Sequence, residues 1–317
     1  MKDSAPAARP AVAVLGATSH IARALIGRWA AEGEVDLTLF ARRPLSAELR
    51  AAAPGAREVV GFDGPEAEES FDLIVNCVGA GSPGSPGFDR ANWFTVLEEF
   101  DRRALAMLRR NPAGLLLSFS SGAIYGRHAD FPAAADTVNR VAVNHVPVEE
   151  YYGIVRLFLE TRHRALGHLN IVDLRIFAYF SRYADPGAGY LATDILRALR
   201  EGRELAVSPD EAVRDYIDPG DLFRLVEACR LHAAGLNRAI DVRSAAPVGK
   251  FELLTRCRER FGLRFSVRGG GAASPNGSCS RYSSEWRQPD VESWWSPRFS
   301  AREAVENELA AALGDGE

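Results

Sequence analysis

Tyr152 and Arg156 stand four residues apart in the run Tyr152-Gly153-Ile154-Val155-Arg156. On an α-helix that spacing places both side chains on one face, about one turn from each other. A phenol beside a guanidinium can pass a proton, and the cation can hold a ligand at the same time. A unit positive charge ~4 Å from a phenolate, at an effective dielectric of ~20, stabilises it by ~4 kcal/mol. That is about what it takes to bring a phenol that titrates near ~10 into proton transfer at neutral pH. An ordinary helix surface carries such pairs as well, so the rest of the chain has to supply a cofactor and a substrate.

The elements that would position this pair begin upstream. Ala11-Val12-Ala13-Val14-Leu15 is a short, continuously apolar run of the kind buried in a parallel sheet. Gly16-Ala17-Thr18-Ser19 follows at once, and Ile21 to Ala30 reads as a helix. Strand, tight turn and helix N-terminus together cradle a pyrophosphate on backbone N–H groups, which makes Gly16, Thr18, Ser19, His20 and Ile21 candidate cofactor contacts. Of the usual three glycines only Gly16 is present, with Ser19 and Ala22 at the other places, and a plain strand-to-helix turn stays open as the alternative.

A second strand, Val35 to Phe40, leads into Ala41-Arg42-Arg43, where a dinucleotide domain inspects the adenosine ribose. An acid there accepts from a free 2′-OH, whereas Arg42 and Arg43 suit a 2′-phosphate, so NADP(H) is expected in preference to NAD(H). A solvated basic turn is the other reading. A third strand, Glu58 to Phe62, ends at Asp63, placed for the adenine edge. A fourth, Phe71 to Gly79, finishes in Cys77-Val78-Gly79, small residues that let a cofactor approach. Ala80 to Gly87 reads as a loop, and Trp93 to Arg110 as a helix stopped by Asn111-Pro112-Ala113-Gly114.

Leu115 to Phe119 is a buried strand that runs into Ser120-Ser121-Gly122-Ala123-Ile124-Tyr125-Gly126. This brings hydroxyls to the carboxyl end of a central strand, the ligand-binding edge of such a sheet. After a loop with His128 and His145, the helix of Tyr152 and Arg156 runs from near Glu149 to about Leu166, and Ile171 to Phe177 is a sixth strand. The alternation predicts an α/β fold built on a doubly wound parallel sheet of the Rossmann type.

Composition narrows the function classes. A chain of 317 residues, 47% hydrophobic, can bury one large α/β domain and a smaller one. A net charge of −4 gives no electrostatic case for nucleic acid or an anionic membrane. Met1 to Pro10 is polar and no apolar run approaches a membrane span, so a cytoplasmic protein is expected. Cys77, Cys229, Cys257 and Cys279 lack metal or redox spacing and read as free thiols, with no metal site expected. Only two of the 38 basic residues, Lys2 and Lys250, are lysines, so basic positions default to arginine.

Taken in order, these stretches resemble an extended short-chain dehydrogenase/reductase of the NAD(P)-dependent epimerase/dehydratase family, over roughly residues 11 to 260. Gly16-Ala17-Thr18 resembles its cofactor turn. Ser120 to Gly126 is similar to the family's Ser-Ser-x-x-Val-Tyr-Gly, which implies Ser121 as the active-site hydroxyl. Tyr152 to Glu160 matches Tyr-Gly-x-Ser-Lys-x-x-x-Glu, with Arg156 where lysine is expected. Arg214-Asp215-Tyr216-Ile217-Asp218-Pro219-Gly220-Asp221 resembles a stretch of members that act on nucleotide-linked sugars, whose arginine contacts the substrate phosphates. An ion pair of Arg214 with Asp215 or Asp218 is the alternative. Ala123 and Tyr179 complete the substrate-side candidates.

The departures matter too. Dehydratases of the family carry Asp-Glu after the active-site Ser or Thr, where this chain has Gly122-Ala123, and one epimerising branch uses a cysteine where Ala123 stands. The Arg-x-x-Asn segment reads Arg175-Ile176-Phe177-Ala178, without the asparagine. The resemblance therefore implies an NADPH-dependent reductase of a keto group on a nucleotide-linked sugar, with Ser121, Tyr152 and Arg156 catalytic. A 4-epimerase with tightly held NAD, or a non-catalytic NADP-binding regulatory protein, are the alternatives. It further implies a dinucleotide domain over residues 1–180 with a segment of about 208–245 returning to it, and a substrate domain from 181–207 and 246–317. A homodimer through the helices Trp93–Arg110 and Glu149–Leu166 is implied as well. His163 and His168 are expected at the surface. Trp286, Trp294 and Trp295 are expected to pack the small domain or a lid, and Gly269 to Ser284 to form a loop over the substrate, with Arg281 and Tyr282 as candidates in it.

Overall fold

The computed structural model describes residues 8–81, 88–127, 131–269 and 280–314. The chain opens with β1 (Ala11–Leu15), α1 (His20–Glu32), β2 (Asp36–Ala41), α2 (Ala47–Ala52), β3 (Arg57–Val60) and β4 (Leu73–Asn76). It continues through α3 (Ala91–Leu108), β5 (Leu115–Ser121), α4 (Tyr151–Ala165) and β6 (Asn170–Ile176). Seven strands form one parallel sheet, whose seventh member, Asn237–Val242, returns from late in the chain to pair with β6. From that edge the order runs through β6, β5, β4 and β1 to β2 and β3, so the winding reverses between β1 and β4. A doubly wound sheet opens its ligand crevice at that reversal.

The unbroken apolar runs of the central strands follow from burial on both faces. Val12 and Val14 face one core with Leu25, Ile26 and Trp29 of α1. Ala13 and Leu15 face the other, with Ala104, Leu105, Met107 and Leu108 of α3. β3 stops at Val60 and β4 at Asn76, earlier than the sequence pattern indicated. Asp63 and Cys77-Val78-Gly79 consequently lie in the connections beyond the strand ends.

After β6 come β7 (Ala178–Tyr179), α5 (Leu191–Glu201), β8 (Leu205–Val207), β9 (Val213–Arg214) and β10 (Tyr216–Ile217). Next are α6 (Pro219–Leu231), the returning strand β11 (Asn237–Val242), β12 (Val248–Gly249), α7 (Lys250–Phe261), β13 (Phe265–Val267) and β14 (Arg281–Tyr282). The described chain closes with α8 (Pro289–Glu292) and α9 (Ala301–Leu313). Ile195, Leu196, Leu253, Leu254, Val305 and Leu309 of α5, α7 and α9 form a separate apolar cluster. No helix among the described residues is long and apolar enough to cross a membrane.

Two expectations are corrected. Trp294 and Trp295 pack on the core of the large sheet, and Trp295 Nε1 donates to the Asp221 carbonyl at 3.1 Å. His163 is fully buried, because the face of α4 that carries it turns onto α3 and β6, where Asp101 and Asp173 receive its two ring nitrogens at 2.7 and 2.9 Å. Cys77, Cys229 and Cys257 are buried free thiols, and Cys279 lies outside the described residues, as does His128.

Candidate active site

The turn after β1 is held tightly against the end of β4. Gly16 has φ +76°, and a Cβ there would lie 3.1 Å from the Cys77 carbonyl and the Val78 Cα. A left-handed turn with a neighbouring backbone so close requires glycine. Ser19, in the place of a second glycine, instead caps α1, its side chain accepting from Ala22 N at 3.2 Å. Thr18 is exposed and Ile21 half-buried at the helix entrance.

His20 packs edge-on against Tyr179 with ring centroids 5.0 Å apart. The His20 Nδ1 and Tyr179 Oη atoms are shielded from water and make no hydrogen bond among the described residues. Burial lowers His20 to about 4, so its ring is neutral near pH 7, and burial raises the Tyr179 phenol. Two shielded, unsatisfied polar atoms beside a helix N-terminus and a glycine cradle fit a polar, phosphate-bearing ligand laid across the turn. Cys77 takes no part as a nucleophile, since burial raises its thiol far above the ordinary range.

Further along the same edge, Arg42 and Arg43 are exposed just past β2. Neither forms a hydrogen bond or ion pair among the described residues, whereas Arg23, Arg50, Arg57 and Arg103 are each tied to a carboxylate. Asp63 is exposed and pairs with Arg103 at 2.6 Å.

At the reversal's other side stand the candidate catalytic groups. Arg156 Nε donates to Tyr152 Oη at 3.3 Å, and its guanidinium lies 5.3 Å from the centre of the Tyr152 ring. Arg156 is buried, Tyr152 half-buried, and Trp93 of α3 leans on the phenol at 5.5 Å. Gly153 explains how α4 comes so near β5: a Cβ there would lie 2.2 Å from the Ala123 carbonyl oxygen. The helix backbone thus rests on the turn that Ser121 caps, its Oγ accepting from Ala123 N at 3.2 Å. Ser121 and Tyr152 make no direct hydrogen bond; each is brought to the same corner by its own element. Ser121 Oγ lies 3.1 Å from Tyr282 Oη, a residue of β14.

Behind this corner runs a buried polar chain. Ser120 Oγ donates to Glu160 at 2.5 Å, Arg175 donates to Glu160 at 2.7 Å and to Tyr125 Oη at 2.9 Å, and Tyr125 donates to Asp241 at 2.9 Å. Ser284 Oγ also donates to Asp241, at 2.6 Å. Burial raises the Tyr125 phenol, helped by the Asp241 charge, so it stays a donor. The chain ties β5, α4, β6 and β11 together and fixes both strand end and helix. Asp241 and Ser284 carry no sequence signal, because they meet only through the return of β11 and the late segment.

Arg214 is buried and its Nη1 donates to the Val213 carbonyl at 2.9 Å. The acids of the alternative reading are engaged elsewhere. Asp215, pushed up to about 6 by burial, accepts from Ser244 N at 2.8 Å, and Asp218 caps α6 by accepting from Gly220 N at 2.7 Å. β9 lies between β12 and β14, with Arg214 in register with Val248 and with Tyr282. Register partners on adjacent strands project to one face, so Arg214 shares the side of Tyr282, whose hydroxyl reaches Ser121.

A nucleotide-accepting crevice at the sheet reversal, with a phenol–guanidinium pair on the helix beside it, defines an oxidoreductase-type α/β enzyme. The chain belongs to the NAD dependent epimerase/dehydratase family, whose model matches residues 12–242. It is 29% identical to a dTDP-6-deoxy-L-talose 4-dehydrogenase (NAD(P)(+)) of Kitasatospora kifunensis, over 95% of this chain and 96% of that one. Among solved structures it resembles a UDP-glucose-4-epimerase from Stenotrophomonas maltophila with TM-score 0.75 and 15% identity, covering 97% of this chain and 99% of that one. A UDP-glucuronic acid 4-epimerase from Bacillus cereus gives TM-score 0.73 and 13% identity, with 96% and 99% covered. At such identities the structural likeness speaks to the fold alone.

Proposed function

We propose that this protein is an NADPH-dependent reductase of a keto group on a nucleotide-linked sugar. The observation that supports the reading is the close packing of Gly153, next to Tyr152 on α4, against Ala123, two residues beyond Ser121, with Arg156 hydrogen-bonded to Tyr152. The relative from Kitasatospora is named as a dTDP-6-deoxy-L-talose 4-dehydrogenase (NAD(P)(+)); reduction of a 4-keto sugar is that chemistry run in reverse.

Gly16, Thr18, Ser19, His20 and Ile21 would hold the pyrophosphate, Arg42 and Arg43 a 2′-phosphate, Asp63 the adenine side, and Cys77-Val78-Gly79 the passage to the nicotinamide. Reduced nicotinamide supplies the hydride. As the carbonyl carbon accepts it, the C=O π pair moves to oxygen, and Tyr152 donates its proton to that alkoxide while Ser121 hydrogen-bonds the same oxygen. Arg156 stabilises the phenolate left behind and would contact the nicotinamide ribose, and water returns the proton to Tyr152. Arg214 would take the diphosphate, with Ala123 and Tyr179 lining the substrate side. The large sheet and the apolar cluster of α5, α7 and α9 are then the cofactor and substrate halves, in a soluble homodimer.

The test is NADPH oxidation by purified protein with a panel of nucleotide-linked 4-keto sugars. Turnover with at least one member and at least ~10-fold preference over NADH is expected. Protein that purifies with NAD bound and interconverts 4-epimers overturns the reductase in favour of an epimerase, and cofactor binding without turnover on the panel favours a regulatory protein.

A further inference from the structure

Ser121 has three hydrogen-bonding positions to account for: one O–H and two acceptor lone pairs. Ala123 N–H fills one lone pair at 3.2 Å. Tyr282 Oη lies 3.1 Å away, and either hydroxyl could be the donor. If Ser121 donated to Tyr282, its only proton would point away from the reacting carbonyl. If Tyr282 donates, both lone pairs of Ser121 are filled and its proton is left for the substrate oxygen.

We propose that Tyr282 is a positioning residue that donates to Ser121 Oγ and so commits the serine hydroxyl to the substrate carbonyl, in a relay from Tyr282 through Ser121 to the alkoxide. The inference rests on the reductase reading above. Its support is that the tyrosine is placed from three sides. Its ring packs on Phe177 at 5.2 Å and Phe131 at 5.4 Å. β14 is paired to β9 in register with Arg214. The residues after it are laced to the loop at Ala133, through Ala133 N to the Ser283 carbonyl at 2.9 Å and Glu285 N to the Ala133 carbonyl at 2.9 Å. Ser284, bonded to Asp241, anchors the same segment to the sheet. A chain of hydroxyl donors polarises each member in turn, which makes the last a better donor to a developing oxyanion.

The test compares wild type, Tyr282→Phe, Ser121→Ala and the double variant, with NADPH and a thymidine diphosphate 4-keto-6-deoxyhexose as probe. Phenylalanine keeps the ring contacts, and unchanged melting temperature and NADPH fluorescence binding verify the fold. Tyr282→Phe is expected to lower kcat ~10-fold with KM within about two-fold, and Ser121→Ala to lower it ~100-fold. In the Ser121→Ala background the second substitution should cost nothing further, since there is no hydroxyl left to commit. An active wild type whose Tyr282→Phe keeps its kcat, loses KM instead, or loses kcat equally in both backgrounds, overturns the assignment alone. A wild type inert on the whole keto-sugar panel overturns the reductase reading and the assignment with it.

Discussion

Arg156 occupies a place where its relatives are expected to carry lysine, and its charge persists at any working pH. Its Nε lies 3.3 Å from Tyr152 Oη, at the long end for a hydrogen bond, while its guanidinium also faces the phenol ring. In the proposed reaction its part would be mainly electrostatic. Arg156→Met, which keeps length and removes charge, should lower kcat ~100-fold or more, about 3 kcal/mol. Arg156→Lys should stay within about ten-fold of wild type. Rates of NADPH oxidation over about pH 6 to 9 decide it, and a methionine variant as active as wild type removes Arg156 from the mechanism. At the opposite end of the cofactor crevice, Arg42 and Arg43 are exposed without a partner among the described residues. Replacing both with alanine should raise the Kd for NADPH ~100-fold and leave NADH within about two-fold, since charge-assisted bonds to a phosphate contribute about 1.5–3 kcal/mol each. Fluorescence titration with the two cofactors reads this directly, and an equal loss for both would show that the arginines do not see the 2′-phosphate.

Helix α4 carries Tyr152 and Arg156, and two of its contacts determine where it sits. Gly153 is the first, because a methyl group there would overlap the Ala123 carbonyl. In an isolated helix alanine is favoured over glycine by roughly 1 kcal/mol; Gly153→Ala should nevertheless lower the melting temperature and cut kcat more than ~10-fold, as α4 is pushed off the turn that holds Ser121. A calorimetric scan showing the variant more stable, with full activity, would mean that the close approach is not needed. The second contact is His163, clamped between Asp101 and Asp173 and joined there by Arg162 and Arg164. Burial alone would lower it, but hydrogen bonds and charge from the two carboxylates prevail and hold it up to about 9. An imidazole raised above its unfolded value of ~6.5 adds stability that is full below that pH and is lost as pH rises towards 9. Between about pH 7 and 8.5 the wild type should lose on the order of 1–2 kcal/mol, a few degrees of melting temperature. His163→Gln should melt lower at pH 7 but with a flatter slope over that window. Asp215, at about 6, titrates below it, and Cys229, held at about 12 by burial, loses its advantage mainly above it. The sequence hides this clamp, since a histidine among arginines late in a helix has the look of a solvated face, and its acidic partners come from α3 and β6.

The large sheet could be read from the chain because each central strand is buried on both faces and so is written as an unbroken apolar run between turns. The turn at Gly16, the hydroxyls ending β5 and the Tyr152 helix follow from the same pattern. The substrate side could not be read that way: β7, β9, β10, β12 and β14 are two residues long and carry no period. Tyr282 meets Ser121 across 161 residues of sequence, so neither spacing nor composition announces their contact. One feature of the whole molecule lies outside both cores. Phe94 of α3 and Leu157 and Phe158 of α4 are 39%, 38% and 50% exposed, an apolar strip on the outer side of the two helices that flank the candidate active site. Exposed aromatics grouped on adjacent helices mark a surface that associates, and a second copy related by a two-fold axis can cover such a strip with itself. The wild type should therefore sediment as a dimer at micromolar concentration. Phe158→Glu, which sets like charges against each other across that axis, should sediment as a monomer with its melting behaviour otherwise cooperative. A wild type that sediments as a monomer, or a Phe158→Glu variant that remains a dimer, excludes this face as the interface. Because the same helix carries Tyr152 and Arg156 on its inner face, monomer formation should also loosen that pair, and kcat in the Phe158→Glu variant should fall while Kd for NADPH, which in the proposed site depends on the turn at Gly16 and on Arg42 and Arg43, changes little.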